Sequence, residues 1–324
     1  MDRTRLVGIA LVVISACGFG SGALFAKPIY ANGVDWMTLL SWRFVFAAAL
    51  SWGWLLIWPS RRRVLRSLSR RRVMVLVALG IFYMANTGTY YAGLETVDAS
   101  LAALIVYIYP TLVAVMAIRF GRRLEGRRAW GALALATAGI ALAVGGINPG
   151  HAPPLYGLVV MFGSPIIYAV WIVLAARLSG ERRRGDEVSG APPYDSETTS
   201  DSEPADSAPT AAIMLTATAV GWTTAAVVFG RPVLPSEVPT DAWWALFGIG
   251  LLATAVAMQA FYAGARRIGA AQASLVSTVE PVYTITLAAL LLHESLTPIQ
   301  ILGGVMVIMG VLIAQTGQMR RTAT

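Results

Sequence analysis

The sequence predicts an all-α polytopic membrane protein: ten transmembrane helices arranged as two inverted five-helix repeats. Three observations predict this. Of 324 residues, 56% are hydrophobic and 13% charged, with a mean hydropathy of +0.65, which leaves too little charge to coat a water-soluble domain. Apolar runs of about 20 residues, each long enough to cross a hydrocarbon core of roughly 30 Å as a helix, recur along the chain. Finally, two stretches half a chain apart match residue for residue while the charge of their loops changes sign.

The first five helices are expected near Leu6 to Ala26, Trp36 to Trp58, Val73 to Gly93, Val97 to Ile118 and Ala129 to Ile147. The second five are expected near Leu155 to Leu178, Ala211 to Gly230, Ala242 to Gly264, Ala270 to Leu292 and Pro298 to Gln315. The first run has the basic residues and apolar core of a signal peptide, but an uncleaved helix leaves five crossings in each half. All but three of the 25 basic residues fall in alternate loops, the exceptions being Lys27, Arg43 and Arg231. By the positive-inside rule both termini are then cytoplasmic, in a multi-pass protein of the cell (plasma) membrane. Trp36, Trp58, Trp130, Trp243 and Trp244 fall at helix ends, where interfacial anchors belong.

The repeat appears when YYAGLETVDASLAALIVYIYP, residues 90–110, is set above FYAGARRIGAAQASLVSTVEP, residues 261–281. Tyr91, Ala92, Gly93, Ala99, Ala102, Leu104 and Pro110 meet identical residues with no gap. Arg266 stands opposite Glu95, so equivalent loops belong on opposite faces, and the repeats are inverted. Residues 1–147 make the first repeat; 148–179 and 211–324 make the second. Between them, residues 180–210 are rich in Ser, Asp, Glu, Pro and Thr and read as a disordered acidic cytoplasmic linker, either a tether or a segment that docks a partner or is phosphorylated on its serines.

Glu280 and Pro281 interrupt the ninth apolar run near its centre. A carboxylate there costs roughly 3 kcal/mol, and such residues usually face a cavity or a partner. Pro281 removes a backbone donor and frees a carbonyl at the same depth. The first half has Tyr109 and Pro110 at the matching positions, so the prolines serve both halves as hinges or kinks while the carboxylate belongs to one. Ser277 and Thr284 share the face of Glu280. Either this is a substrate or proton site, or Glu280 is a protonated residue bonded to a neighbouring helix. Arg43 lies about 10 Å deep from Trp36 at 1.5 Å per residue. It either holds an anionic group of a substrate or bonds Glu280 or a carbonyl. Tyr83, Asn86, Thr87 and Tyr90 form one stripe of the third helix that Tyr107 and Tyr109 can face, either lining a cavity or joining helices. Gly131, Ala134, Ala138, Ala141 and Gly145 give the fifth helix a small-residue face suited to close helix contact.

These residues resemble the EamA-like drug/metabolite transporter superfamily over both halves, excluding the linker. LLSWRFVFAAAL is similar to its second-helix arginine pattern, carrying Arg43. PVYTITLAALLLHESLTPIQILGGVMVIMGV is similar to its ending, carrying Pro281 and Glu294. The first half departs from the pattern, with Arg123 at the position equivalent to Glu294. The resemblance implies a secondary transporter with a central cavity that moves small metabolites, amino acids or related compounds, by alternating access. It favours export and leaves uptake and proton coupling open. A small-molecule substrate and membrane lipid are the partners implied, with a monomer or homodimer as the assembly.

Other classes are disfavoured on the residues themselves. The +8 net charge sits in loops between apolar runs rather than on one soluble face, which argues against nucleic-acid binding. Two distant histidines and one cysteine offer no metal site, no cofactor motif is present, and no catalytic set converges as an intramembrane enzyme needs. A scaffold acting through its linker is the remaining alternative, separated by deleting residues 185–206, which a transporter survives.

Overall fold

In the computed structural model, residues 3–109, 112, 127–145, 152–178, 207–268, 276, 277 and 279–322 are described, and they form helices and turns with no strand among them. The first half has α1 (Arg3–Ala31), α2 (Trp36–Ile57), α3 (Pro59–Ser67), α4 (Arg70–Leu94), α5 (Ala99–Val106) and α6 (Arg127–Gly145). The second has α7 (Leu155–Leu178), α8 (Ser207–Val228), α9 (Trp243–Gly250), a π-helical turn (Leu251–Val256), α10 (Ala257–Ile268), α11 (Val279–Leu291) and α12 (Pro298–Thr322). Five of the helical stretches are individually long and apolar enough to cross a membrane, and shorter apolar helices pack among them. The expected linker, residues 180–210, lies outside the described residues except for its end from Ser207, which begins α8.

Three departures from the expected elements have local causes. The basic segment after α2 is helical rather than a loop: Pro59 occupies the first turn, where its missing N–H costs nothing, and Leu65 packs inward with Leu68 just beyond the helix end. Its arginines also close α2, with Arg61 donating to the Trp54 carbonyl and Arg62 to the Leu56 carbonyl at 2.6 Å, as cations do at helix C-termini. The fourth expected helix is interrupted after Val106 by a turn at Tyr107 and Ile108, with Tyr109 and Leu112 helical again, because Pro110 has no N–H to give the Val106 carbonyl. The eighth is interrupted by its π turn, where the Thr254 hydroxyl donates to the Ile249 carbonyl at 3.0 Å.

Helix pairing follows one rule. α1 packs on α10, the π turn and α11, while α7 packs on α4 and α5. α2 packs on α9 as α8 packs on α4, and α2 with α8, α5 with α11 and α6 with α12 pair across the halves. Exchanging each crossing for its counterpart in the other half leaves this pattern unchanged, as a two-fold relation between repeats demands. The ends of α1 give its sense: Gly8 touches Ile268 and Arg267, whereas Lys27 bonds the Leu94 and Val97 carbonyls at 2.9 and 2.7 Å. These contacts are about 28 Å apart along α1. The turn after α4 and the end of α10, equivalent in sequence, therefore lie at opposite ends of the bundle.

The small-residue face expected to make close contact on α6 does not. Gly131, Ala134, Ala138 and Ala141 are exposed on the bundle's outer surface. The opposite face, Ala136, Gly139 and Ala143, meets α12, where a side chain on Gly139 would collide with the Gly303 carbonyl at 2.6 Å. α6 is rich in small residues nearly all round, so spacing could not choose its face; Gly303 of α12 does. Of the expected interfacial tryptophans, Trp58, Trp130 and Trp244 are exposed, but Trp36 packs edge-on against Trp222 and Trp243 against Trp42.

Candidate functional site

Glu280 is the second residue of α11, half-buried where α11 meets α1 and α5. In an unbroken helix the Ser277 carbonyl would accept from residue 281, but proline has no donor there. The Tyr107 hydroxyl takes that carbonyl instead at 2.7 Å, and the Glu280 N–H also reaches it at 3.0 Å. Tyr107 lies 3.5 Å from Glu280 Oε2, a weak contact by length. One phenol thus ties the break after α5 to the broken start of α11, beside the carboxyl group.

Thr284, 3% exposed, donates to the Gly20 and Glu280 carbonyls at 3.1 and 3.0 Å. This seats α11 on α1, and it needs Gly20 to lack a side chain: a Cβ there would lie 2.5 Å from Thr284 Oγ1. Ser21 and Tyr283 share a hydrogen bond at 3.1 Å across the same junction. Pro281 is buried in it, and Pro110 lies outside the described residues. Gly20 stands about 10 Å along α1 from Lys27 and about 18 Å from Gly8, so Glu280 sits near mid-depth.

A chain of rings leads away from Tyr107. Tyr109 lies 6.0 Å from it, Tyr168 is 4.8 Å further, Trp171 stacks on Tyr168 at 5.9 Å, and Tyr83 lies 5.6 Å from Trp171. Phe44 continues it at 6.1 Å from Tyr83, next to Arg43. Arg43, 5% exposed, donates from Nε to Thr254 Oγ1 at 2.8 Å and from a terminal nitrogen to the Ala253 carbonyl at 3.4 Å. Its guanidinium lies over the Tyr91 ring at 4.8 Å. Among the described residues its hydrogen bonds go to the π turn, not to Glu280; of the bonds expected, the carbonyl one is present.

The stripe of the third helix divides. Tyr83 belongs to the ring chain, and Tyr90 packs edge-on against Tyr91 at 5.0 Å. Asn86 accepts from Ser164 of α7 at 2.9 Å, and Thr87 accepts from Trp222 of α8 at 3.2 Å, so these two join helices. Sequence reasoning missed Tyr168, Trp171, Tyr91 and Thr254. Tyr168 and Trp171, three apart in an apolar helix, carried a readable signal; Thr254 carried none, since only the π turn aims it at Arg43.

At the Lys27 end of the same junction, Glu294 accepts from the Ala99 and Ser100 N–H groups at 2.9 and 2.8 Å, capping α5, while Lys27 caps α4. Each half of the protein thus clamps the turn between α4 and α5. The sequence pattern of the EamA-like transporter family matches residues 6–145 and 206–316. The chain belongs to this family. An uncharacterized transporter of Archaeoglobus fulgidus is 25% identical over 317 residues, covering 96% of this EamA-like chain and 97% of the relative. A solved crystal structure, 16% identical, shares the fold with a TM-score of 0.61 over 97% of each chain. The EamA-like protein is a membrane transporter, and Glu294, which its resemblance to the family singled out, is a helix cap here.

Proposed function

We propose that this EamA-like protein is a secondary transporter whose ten crossings form two inverted five-helix repeats, and that it exports amino acids or related small metabolites across the plasma membrane by alternating access. Both termini are cytoplasmic in this reading, because the arginine-rich loops share the end at which Gly8 meets Arg267. The observation that carries it is the junction of Tyr107, Ser277, Pro281 and Glu280, where two helices break at mid-depth around an intramembrane carboxyl group. Broken helices facing each other across a repeat interface are where secondary transporters bind substrate and coupling ion.

Glu280 binds the coupling proton or a substrate amino group. Tyr107 oxygen, its hydrogen given to Ser277, is free to accept from a protonated carboxyl. The rings from Tyr109 to Tyr83 wall the path, and Arg43, anchored by the π turn, supplies the positive end that favours an anionic group. In proteoliposomes, Glu280→Gln abolishes pH-driven flux while the thermal unfolding of the protein stays close to wild type. Undiminished pH-driven flux removes Glu280 from the mechanism.

A further inference from the structure

A groove of about 370 Å³ lies away from the Glu280 junction, between α2, α4 and α8, lined by Trp52, Val77, Ile81, Ile213, Val220 and Gly221. We propose that it holds an acyl chain of an anionic phospholipid whose headgroup rests on the arginines of α3 and the start of α4. The wall is apolar, and Val77, Ile81 and Val220 are exposed, so the groove opens sideways on the surface that faces lipid. Its one hydroxyl, Thr216, already accepts from Trp52 Nε1 at 2.8 Å and donates to the Ala212 carbonyl at 2.7 Å. Nothing in the wall is left to recognise a polar solute, whereas a hydrocarbon chain needs only shape.

The furrow exists because α4 and α8 touch at their glycines. A side chain on Gly80 would meet the Met214 carbonyl at 2.6 Å, and one on Gly221 would meet Met84 Sδ. One end of the groove abuts the basic segment, since Ile213 clusters with Leu76 against Leu65 and Leu68. Val77 stands about 8 Å along α4 from Arg72. Arg62, Arg63 and Arg66 on α3, with Arg70, Arg71 and Arg72, are exposed there, at the level of the exposed rings of Trp54 and Trp58. No acidic residue occurs between Asp35 and Glu95, and both of those cap α2 at its far end. A basic surface beside an interfacial aromatic pair attracts anionic lipid, with each arginine worth about fivefold in binding.

Native mass spectrometry of the full chain in neutral detergent tests this. Phosphatidylglycerol is expected to be retained over phosphatidylcholine. Replacing Arg63, Arg66, Arg70 and Arg71 by Gln lowers that retention at least about tenfold, and Val220→Trp, which fills the groove, abolishes it. Should Val220→Trp fail to fold, bromine-labelled phosphatidylglycerol in vesicles still quenches tryptophan more than bromine-labelled phosphatidylcholine does, with the excess lost in Trp52→Phe. Equal retention of the two lipids, or displacement by inorganic phosphate, overturns the proposal. So does lipid that binds only after residues 185–206 are deleted, which assigns the arginines to the chain's own acidic segment. A dimer lost in Val220→Trp with lipid unchanged makes the groove an interface between copies, and overturns it too.

Discussion

Arg43 shows how much one intramembrane side chain depends on its neighbours. A guanidinium at this depth is tolerated because it is a hydrogen-bond donor to a hydroxyl and a carbonyl and rests on a tyrosine face. Lysine lacks the fork that reaches Thr254 and Ala253 together. Arg43→Lys is expected to lower both flux and the unfolding temperature. Thr254→Val, which removes the acceptor of Arg43 and the donor to the Ile249 carbonyl, should cost about 1 kcal/mol or more. Because both changes break one bond, their double mutant should be clearly less damaging than the sum, which a thermal-denaturation cycle measures. Tyr107→Phe belongs at the same scale. It takes the Tyr107 donor from the Ser277 carbonyl, which Pro281 already denies its helical donor, and a loss of about 1 kcal/mol with reduced flux is expected in the same assays.

Among the elements, the turn between α4 and α5 is held by opposite charges acting on opposite helix ends. Lys27 takes the Leu94 carbonyl at the end of α4 and the Val97 carbonyl in the turn, and Glu294 takes N–H groups at the start of α5. Glu294→Ala and Lys27→Met should each lower stability by about 1 kcal/mol, measured by thermal unfolding in detergent. The α6–α12 pair tests packing rather than charge. Gly303→Leu, driven into the α6 backbone, should abolish recovery of folded protein, while Ala138→Leu on the exposed face of α6 should be recovered like wild type, as monodisperse peaks on gel filtration report. Here the sequence was legible only halfway: small residues announced a close contact, but a helix small on several sides cannot say which side is used.

For the whole molecule, the pairing of helices under exchange of the two halves matters most. Asp98→Cys and Arg267→Cys, each in a Cys17→Ser background, should react with a membrane-impermeant thiol reagent from opposite sides of sealed vesicles, because their segments lie at opposite ends of α1. Labelling of both from one side would remove the inverted arrangement.

Much of this was written in the chain. Apolar run length dictated all-helical crossings, because a backbone in lipid must satisfy itself. The matched segments with reversed loop charge dictated two related halves, and a carboxylate beside a proline marked where a helix breaks. Arg43, Glu280 and the tyrosines were visible as polar residues in apolar surroundings. What only the tertiary structure decided is who meets whom: that Arg43 bonds a π turn rather than Glu280, that Asn86 and Thr87 serve helix contacts, and that Tyr107 claims the Ser277 carbonyl. Those choices depend on the rotation and depth of helices far apart in sequence, which packing sets and a local pattern of residues does not encode.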